Sequence, residues 1–390
     1  MLFDKFVVET KNWWEDYLHR IAAFNKAGQI HTNGHTILYP NMVLATNTRG
    51  YLVAELIGAK RKFEGLTIKK HKDSSIYRYL SQFDESEPDP LLKMDGSRQR
   101  IRFLSLAQDY DYTTIKERFP FIELYQSGVN RVGGRGSVLG FGNNFISCAI
   151  ENSVLINRHN NIYRCKNILA LFIVKNSISS KMLIELFEHS ITQSEVRGVH
   201  LVSDEDDESL IVGGHLQSMY LLPRLRETTI GAFISTHPAI LKKAFKTSHF
   251  VYEAYLEWIE HDGTVKDVAI NPDLMVKRND GFYDIYDLKT AALEKPKITK
   301  GKRNRRRFID YVEEGAAQLA NYREYFEYPK NRELAQKKYG IDVHNPKLTL
   351  VVGSWENVKI NEIEQACRRY KDLTIVDFDT MVHLFIGTRQ

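Results

Sequence analysis

The sequence predicts an α/β protein in which a carboxy-terminal mixed sheet flanked by helices follows a mixed α+β amino-terminal region. Three observations carry this expectation. Residues 269–290, AINPDLMVKRNDGFYDIYDLKT, show two alternating runs around Asn279-Asp280-Gly281, the signature of a β-hairpin. Phe308, Val312, Ala316, Leu319, Arg323 and Phe326 then recur at helical spacing. Beyond them KLTLVVG reads as a buried strand, VKINEIEQACRRY as a helix, LTIVDF as a strand and DTMVHLFIG as a closing helix. Strands alternating with helices in this order suit a sheet covered by helices.

Length and composition set the limits. With 390 residues and 43% hydrophobic content, the chain is long enough for two or three domains with their own cores. No apolar run approaches the ~20 residues that span a bilayer, and MLFDKFVVETKNWW lacks a basic leader before an apolar core. A cytoplasmic protein with no membrane partner is expected. Three isolated cysteines, Cys148, Cys165 and Cys367, exclude a fully paired disulfide framework and a thiolate zinc cluster. The net charge of +5 is modest, so acidic partners are suggested by local clusters more than by the total.

Residues 1–215 read as mixed α and β. Trp13, Trp14, Tyr17 and Leu18 suggest a first amphipathic helix. MVLAT, YLVAELIGA, IRFLSLA, NFISCAI, SVLI and NILALFIVK suggest strands, and KMLIELFEHSI a helix. Asp84 to Pro90, DESEPDP, reads as a loop that divides this half near 84–100, with Pro88-Asp89 a turn. His31 and His35 in HTNGH flank Asn33-Gly34 and read as loop residues, not metal ligands. The glycine-rich 133–142 segment lacks the Gly-Lys-Ser/Thr ending of a phosphate cradle. Lys60-Arg61-Lys62 with Lys69 to Lys72 reads as a solvated basic surface. Ser203 to Gly214, SDEDDESLIVGG, reads as a solvated acidic connector, placing the boundary between regions 1–215 and 216–390.

The second region opens with HPAILKKAFKTSHFVYEAY, which is helix-like, with Pro238 where the first turn needs no N–H. In the hairpin, a three-residue loop with Gly281 left-handed pairs Arg278 with Phe282 and sets Asp273 opposite Asp287. Directly opposed residues have Cβ atoms roughly 4.5 to 5.5 Å apart, and Lys289 shares their face. A two-residue Asp280-Gly281 turn would instead shift the register and send Asp273 to the other face. In the first register two carboxylates repel unless a cation or a shared proton intervenes. Mg²⁺ or Mn²⁺ is the natural occupant, since hard ions take carboxylate oxygens and keep several waters. Such an ion acidifies bound water and offsets charge growing on a phosphate, while Lys289 orients the water or steadies the anion.

Lys295 to Arg307, KPKITKGKRNRRR, holds eight basic residues and no acidic one. Clustered Lys and Arg are the footprint of phosphate-backbone binding. In the following helix Gln318 and Tyr322 are four residues apart on one face.

Pro272-Asp273, Asp287-Leu288-Lys289 and Gln318-Leu-Ala-Asn-Tyr322 together resemble the PD-(D/E)xK nuclease signature with the Gln-x-x-x-Tyr element of RecB-like members. INPDLMVKRNDGFYDIYDLKTA and EGAAQLANYREYF are similar to the Shedu immune nuclease family, bacterial antiphage defence proteins. The resemblance covers roughly the last 170 residues. It implies a PD-(D/E)xK, restriction-endonuclease-like fold for that part. It also implies Asp273, Asp287 and the Leu288 carbonyl as metal ligands, Lys289 as the catalytic lysine, and Gln318 and Tyr322 as groups that brace the site or touch DNA. The superfamily often adds a glutamate from the preceding helix or strand; Glu253 is the first candidate, with Glu257 its rival. A homo-oligomer, with a tetramer suspected, is implied as well.

The expected activity is metal-dependent endonucleolytic hydrolysis of double-stranded DNA in bacterial antiphage defence. Lys300, Lys302, Arg303, Arg305, Arg306 and Arg307 would engage phosphates, giving weak sequence preference because phosphate contacts do not read bases. The amino-terminal region would sense, regulate or oligomerise. Two rival classes are a nucleic-acid-binding sensor with a vestigial nuclease core, and a scaffold whose basic loop meets an acidic protein.

Overall fold

The computed structural model describes the chain apart from residues 81–91, 97–98, 103–104, 108–130, 133–138, 160–161, 190–195, 223–224, 264–266 and 388–390. It is a mixed α/β protein with two compact units, Met1–Leu222 together with Ile386–Gln390, and Pro223–Phe385. Among the described residues no helix is long and apolar enough to cross a membrane.

The first unit begins with α1 (Phe3–Lys26), whose buried Phe6, Val7, Trp14, Tyr17 and Leu18 form one stripe along the helix. That stripe covers a sheet built from β1 (Met42–Thr48), β2 (Tyr51–Ile57), β3 (Thr67–Lys72), β4 (Ser147–His159) and β5 (Ile162–Lys175). The strand order is β3-β1-β2-β5-β4, continued by the short strands 105–107 and 131–132. The expected strands NFISCAI and SVLI merge into the single long β4, which pairs with β5 through almost its whole length. KMLIELFEHSI is helical as expected, within α2 (Ser180–His189). Trp14, Phe172 and Phe187 meet edge-on or tilted at 5.1 to 5.7 Å between centroids, fixing helix, sheet and α2 together. DESEPDP and most of the glycine-rich 133–142 segment lie outside the described residues.

The acidic stretch expected to be a connector is instead the start of a helix, α3 (Asp204–Tyr220). Two features explain the difference. Acidic residues favour a helix amino terminus, where the dipole and unpaired N–H groups welcome them. Asp207 is also buried against the Arg61 guanidinium at 2.6 Å, so the run is not wholly solvated. Gly214 is required by packing: a Cβ there would stand 2.6 Å from the Ala59 nitrogen. The chain divides at Leu222 and Pro223, not within the acidic run.

The second unit opens with α4 (Glu227–Thr236) and α5 (Ala239–Ala244), Pro238 taking the N-cap position of α5. The helix expected through HFVYEAY stops at Ala244, and the chain continues as strand β6 (Phe250–Tyr252). β7 (Leu256–Glu257) and β8 (Ala269–Ile270) form a separate small hairpin. β-branched and aromatic content in FVY and the nearby strand favours sheet over helix here. Next come β9 (Leu274–Lys277) and β10 (Tyr283–Leu288), then β11 (Thr299–Lys300) and β12 (Arg307–Phe308). Helices α6 (Asp310–Tyr325) and α7 (Pro329–Tyr339) lead to β13 (Leu348–Val351). α8 (Ile360–Cys367), β14 (Leu373–Val376) and α9 (Phe378–Gly387) complete the chain. The five-stranded sheet has the order β6-β9-β10-β13-β14, antiparallel on the β6 side and parallel from β10 onward. β10 thus joins the two halves, and in open α/β sheets the carboxyl ends of parallel strands are where sites are built.

Candidate active site

The hairpin of β9 and β10 takes the three-residue register. Lys277 pairs with Tyr283 and Leu274 with Tyr286, which carries Arg278 opposite Phe282 and Asp273 opposite Asp287. Gly281 is left-handed, φ +94°, and its N–H donates to the Arg278 carbonyl at 3.1 Å. Arg278 reinforces the turn through Asp280 at 3.0 Å and Asp284 at 3.1 Å. The two-residue alternative would have separated the acids; the turn chemistry brings them together.

At the carboxyl end of β10 the site assembles. Asp273 Oδ2 accepts the Leu288 main-chain N–H at 2.7 Å. A strand residue directs its N–H and C=O to the same flank, so the Leu288 carbonyl leaves on Asp273's side. Asp287 is buried, 2% exposed, and its Oδ2 lies 3.1 Å from Lys289 Nζ. Lys289 Nζ also donates to Gln318 Oε1 at 2.8 Å and stands 3.5 Å from Glu227 Oε2. Glu227 Oε1 accepts from the Tyr311 hydroxyl at 2.6 Å, and that hydroxyl accepts the Thr290 N–H at 2.7 Å.

One face of α6 supplies the far wall. Tyr311, Gly315, Gln318 and Tyr322 follow helical spacing, with Gln318 bonded to Lys289 and Gly315 facing Lys289 and Asp287. Gly315 makes the approach possible: a Cβ there would meet Lys289 Cε and Leu350 Cδ1 at 3.0 Å and Asp287 Oδ2 at 3.3 Å. Tyr322 donates to the Asn271 carbonyl at 3.3 Å, tying the helix to the segment that carries Asp273.

The electrostatics follow from this packing. Burial, then the Asp273 charge, pushes the Asp287 carboxyl up to about 7 against the pull of Lys289. Burial raises the Asp273 carboxyl more than its bond from Leu288 lowers it. Burial also disfavours the Lys289 charge, but Asp287 and Glu227 outweigh it and hold the ammonium above its ordinary range. The buried Asp287 and the half-buried Asp273 beside one lysine form an undercompensated pair, the setting in which a further cation is favoured.

The donor set suits a hard ion. Asp273, Asp287 and the Leu288 carbonyl would be its oxygen ligands, with water completing the shell as Mg²⁺ prefers. Among the described residues no group of three or more His, Cys, Asp or Glu side chains is placed to hold a metal ion.

Glu253 is exposed, with φ +48°, and its main-chain N–H donates to the Asp273 carbonyl at 2.9 Å. Its charge raises the Asp273 carboxyl slightly, but it has no bond to the lysine. Glu257 pairs with Lys338 at 3.0 Å, away from the acid–lysine group. The glutamate that reaches Lys289 is Glu227, in the first turn of α4, which sequence reasoning missed together with Tyr311. Glu227 lies 46 positions before Asp273, and only an acid opening a helix marked it.

The basic segment folds as the β11–β12 hairpin with a 3₁₀ turn at Arg303–Arg305. Part of it is already neutralised. Lys297 and Arg306 pair with Glu362 at 2.6 and 3.1 Å, Arg306 donates to Gln365 at 3.0 Å, and Lys300 pairs with Asp310. Lys302, Arg305 and Arg307 are exposed. Compared with models of known protein families and with curated protein sequences, the chain matches none.

Proposed function

We propose that the second unit is a metal-dependent DNA endonuclease of PD-(D/E)xK type, acting in antiphage defence as the Shedu-like motifs suggest. The observation that carries this reading is the convergence of Asp273, Asp287, Lys289 and Gln318 at the carboxyl end of β10. Asp273, Asp287 and the Leu288 carbonyl would hold Mg²⁺ or Mn²⁺. When bound, such an ion neutralises charge on a phosphate and acidifies water. Lys289 steadies the developing anion or the attacking water, and Gln318 fixes its amine. Exposed Lys302, Arg305 and Arg307 contact the double-stranded backbone, which gives weak sequence preference. The first unit senses or regulates, and assembly into a homo-oligomer in the cytoplasm completes the reading.

The test is cleavage of linear and supercoiled DNA by the full chain with Mg²⁺, Mn²⁺ or EDTA, wild type against Lys289→Ala. Metal-dependent cutting that falls at least about 100-fold in the variant is expected, the scale at which removing a positioned charge from a reacting centre acts. Cutting in EDTA, or full activity in Lys289→Ala, would overturn the mechanism.

A further inference from the structure

A closed circuit of hydrogen bonds surrounds the lysine. From Lys289 the main chain passes to Thr290, whose N–H donates to the Tyr311 hydroxyl at 2.7 Å. Tyr311 donates in turn to Glu227 Oε1 at 2.6 Å, and Glu227 Oε2 returns to Lys289 Nζ at 3.5 Å. Both oxygens of the glutamate are therefore engaged inside the circuit. The amino terminus of α4 favours a carboxylate at this point.

We propose that Tyr311 and Glu227 form a positioning pair that fixes the Lys289 ammonium, so that Glu227 serves the lysine and not the metal ion. The tyrosine selects one orientation of the carboxylate and locks it to the backbone immediately after the lysine. The carboxylate then restricts the amine together with Gln318. The two contacts the glutamate makes here run to Tyr311 and Lys289; each oxygen keeps a further lone pair, so recruitment of Glu227 by an ion is the outcome that the metal-binding arm below decides. The kinetic and metal-binding arms of the test below rest on the nuclease reading; the ammonium signal does not.

Tyr311→Phe, Glu227→Gln and the double variant are compared in the full chain. The phenyl ring and the amide retain the packing, and circular dichroism verifies the fold of each. Each single variant is expected to lower kcat tenfold or more with the KM for DNA unchanged. The double variant should lose no more than the worse single, because groups acting through one contact are not additive. Mn²⁺ affinity by calorimetry without DNA should stay within about twofold in all three, whereas Asp287→Asn abolishes binding. At fixed pH, the Lys289 ammonium signal in ¹H–¹⁵N spectra should be present in wild type and broadened in both singles, since only a held amine keeps its protons long enough to be seen. Loss of Mn²⁺ binding in Glu227→Gln comparable to Asp287→Asn, fully additive kcat losses, or an ammonium signal unchanged in Tyr311→Phe each overturns the proposal. If wild type cuts no DNA, the nuclease reading falls and the ammonium signal alone decides the positioning pair.

Discussion

Asp287 Oδ2 and Lys289 Nζ lie 3.1 Å apart and the aspartate is only 2% exposed, yet the pairing does not bring the acid back to its ordinary range. Desolvation and the Asp273 charge win over the lysine, which places the Asp287 carboxyl at about 7 instead of 3.8. A site arranged only for stability would gain by replacing one of these acids. The same arrangement is one that the proposed divalent ion would relieve.

Stability should therefore depend on pH in a defined direction. Asp287 is raised in the folded state, so it keeps a proton that the unfolded chain has released. Its contribution is complete below about pH 4 and drains away as pH climbs to about 7, on the order of a few kcal/mol. In EDTA, Asp287→Asn should narrow the fall in Tm between pH 5 and pH 8. At pH 8 Mg²⁺ or Mn²⁺ should restore wild-type stability, by about 2.7 kcal/mol at a hundredfold excess over Kd, and leave Asp287→Asn unmoved. Thermal melts across pH with and without ion check both. An ion-dependent gain that survives in Asp287→Asn would remove the acid from the proposed metal site.

Gly315→Ala should separate activity from stability. An exposed helix interior gains about 1 kcal/mol from Gly→Ala. Here the new methyl presses on Lys289 Cε, Leu350 Cδ1 and Asp287 Oδ2, so the gain is offset by crowding and Tm should move little. Displacement of the amine from Gln318, by even a few tenths of an ångström, should cost at least tenfold in kcat. Steady-state cleavage beside calorimetric melts is the measurement. Unchanged kcat would mean that the close approach of α6 has no bearing on the chemistry.

How much of the fold and site is legible in the sequence depends on how local each signal is. The hairpin register is legible down to two alternatives set within ten residues by the turn around Gly281; the structure takes the three-residue loop, and every side chain then falls on a determined face. The Gln318 and Tyr322 face follows from helical spacing alone. Glu227 is not legible, since its role depends on α4 and α6 meeting across the site, a meeting with no local pattern. The acidic run misleads for a related reason: Asp207 is buried by Arg61, a partner more than a hundred residues earlier. HFVYEAY misleads because pairing of β6 with β9 overrides its helix-like pattern.

The basic hairpin reads in sequence as one phosphate-binding surface, and the structure divides it into two kinds of charge. Lys297 and Arg306 hold β11 and β12 against α8 through Glu362. The ion pairs and the Thr299 hydroxyl keep the Glu362 carboxyl below its ordinary range although burial opposes them. Removing this support should destabilise: Arg306→Gln is expected to lower stability by about 1 to 3 kcal/mol, the usual cost of losing a charged hydrogen-bond partner. Lys302, Arg305 and Arg307 bear no such structural duty and are exposed. Replacing all three with alanine should leave Tm unchanged but weaken DNA binding at every sequence. It should also reduce the slope of log affinity against log salt by up to about 3, near 0.9 for each phosphate no longer neutralised. Binding isotherms at several salt concentrations, set beside melts of the same proteins, distinguish the two classes. A triple variant that keeps the wild-type salt slope would place the DNA backbone elsewhere on the protein.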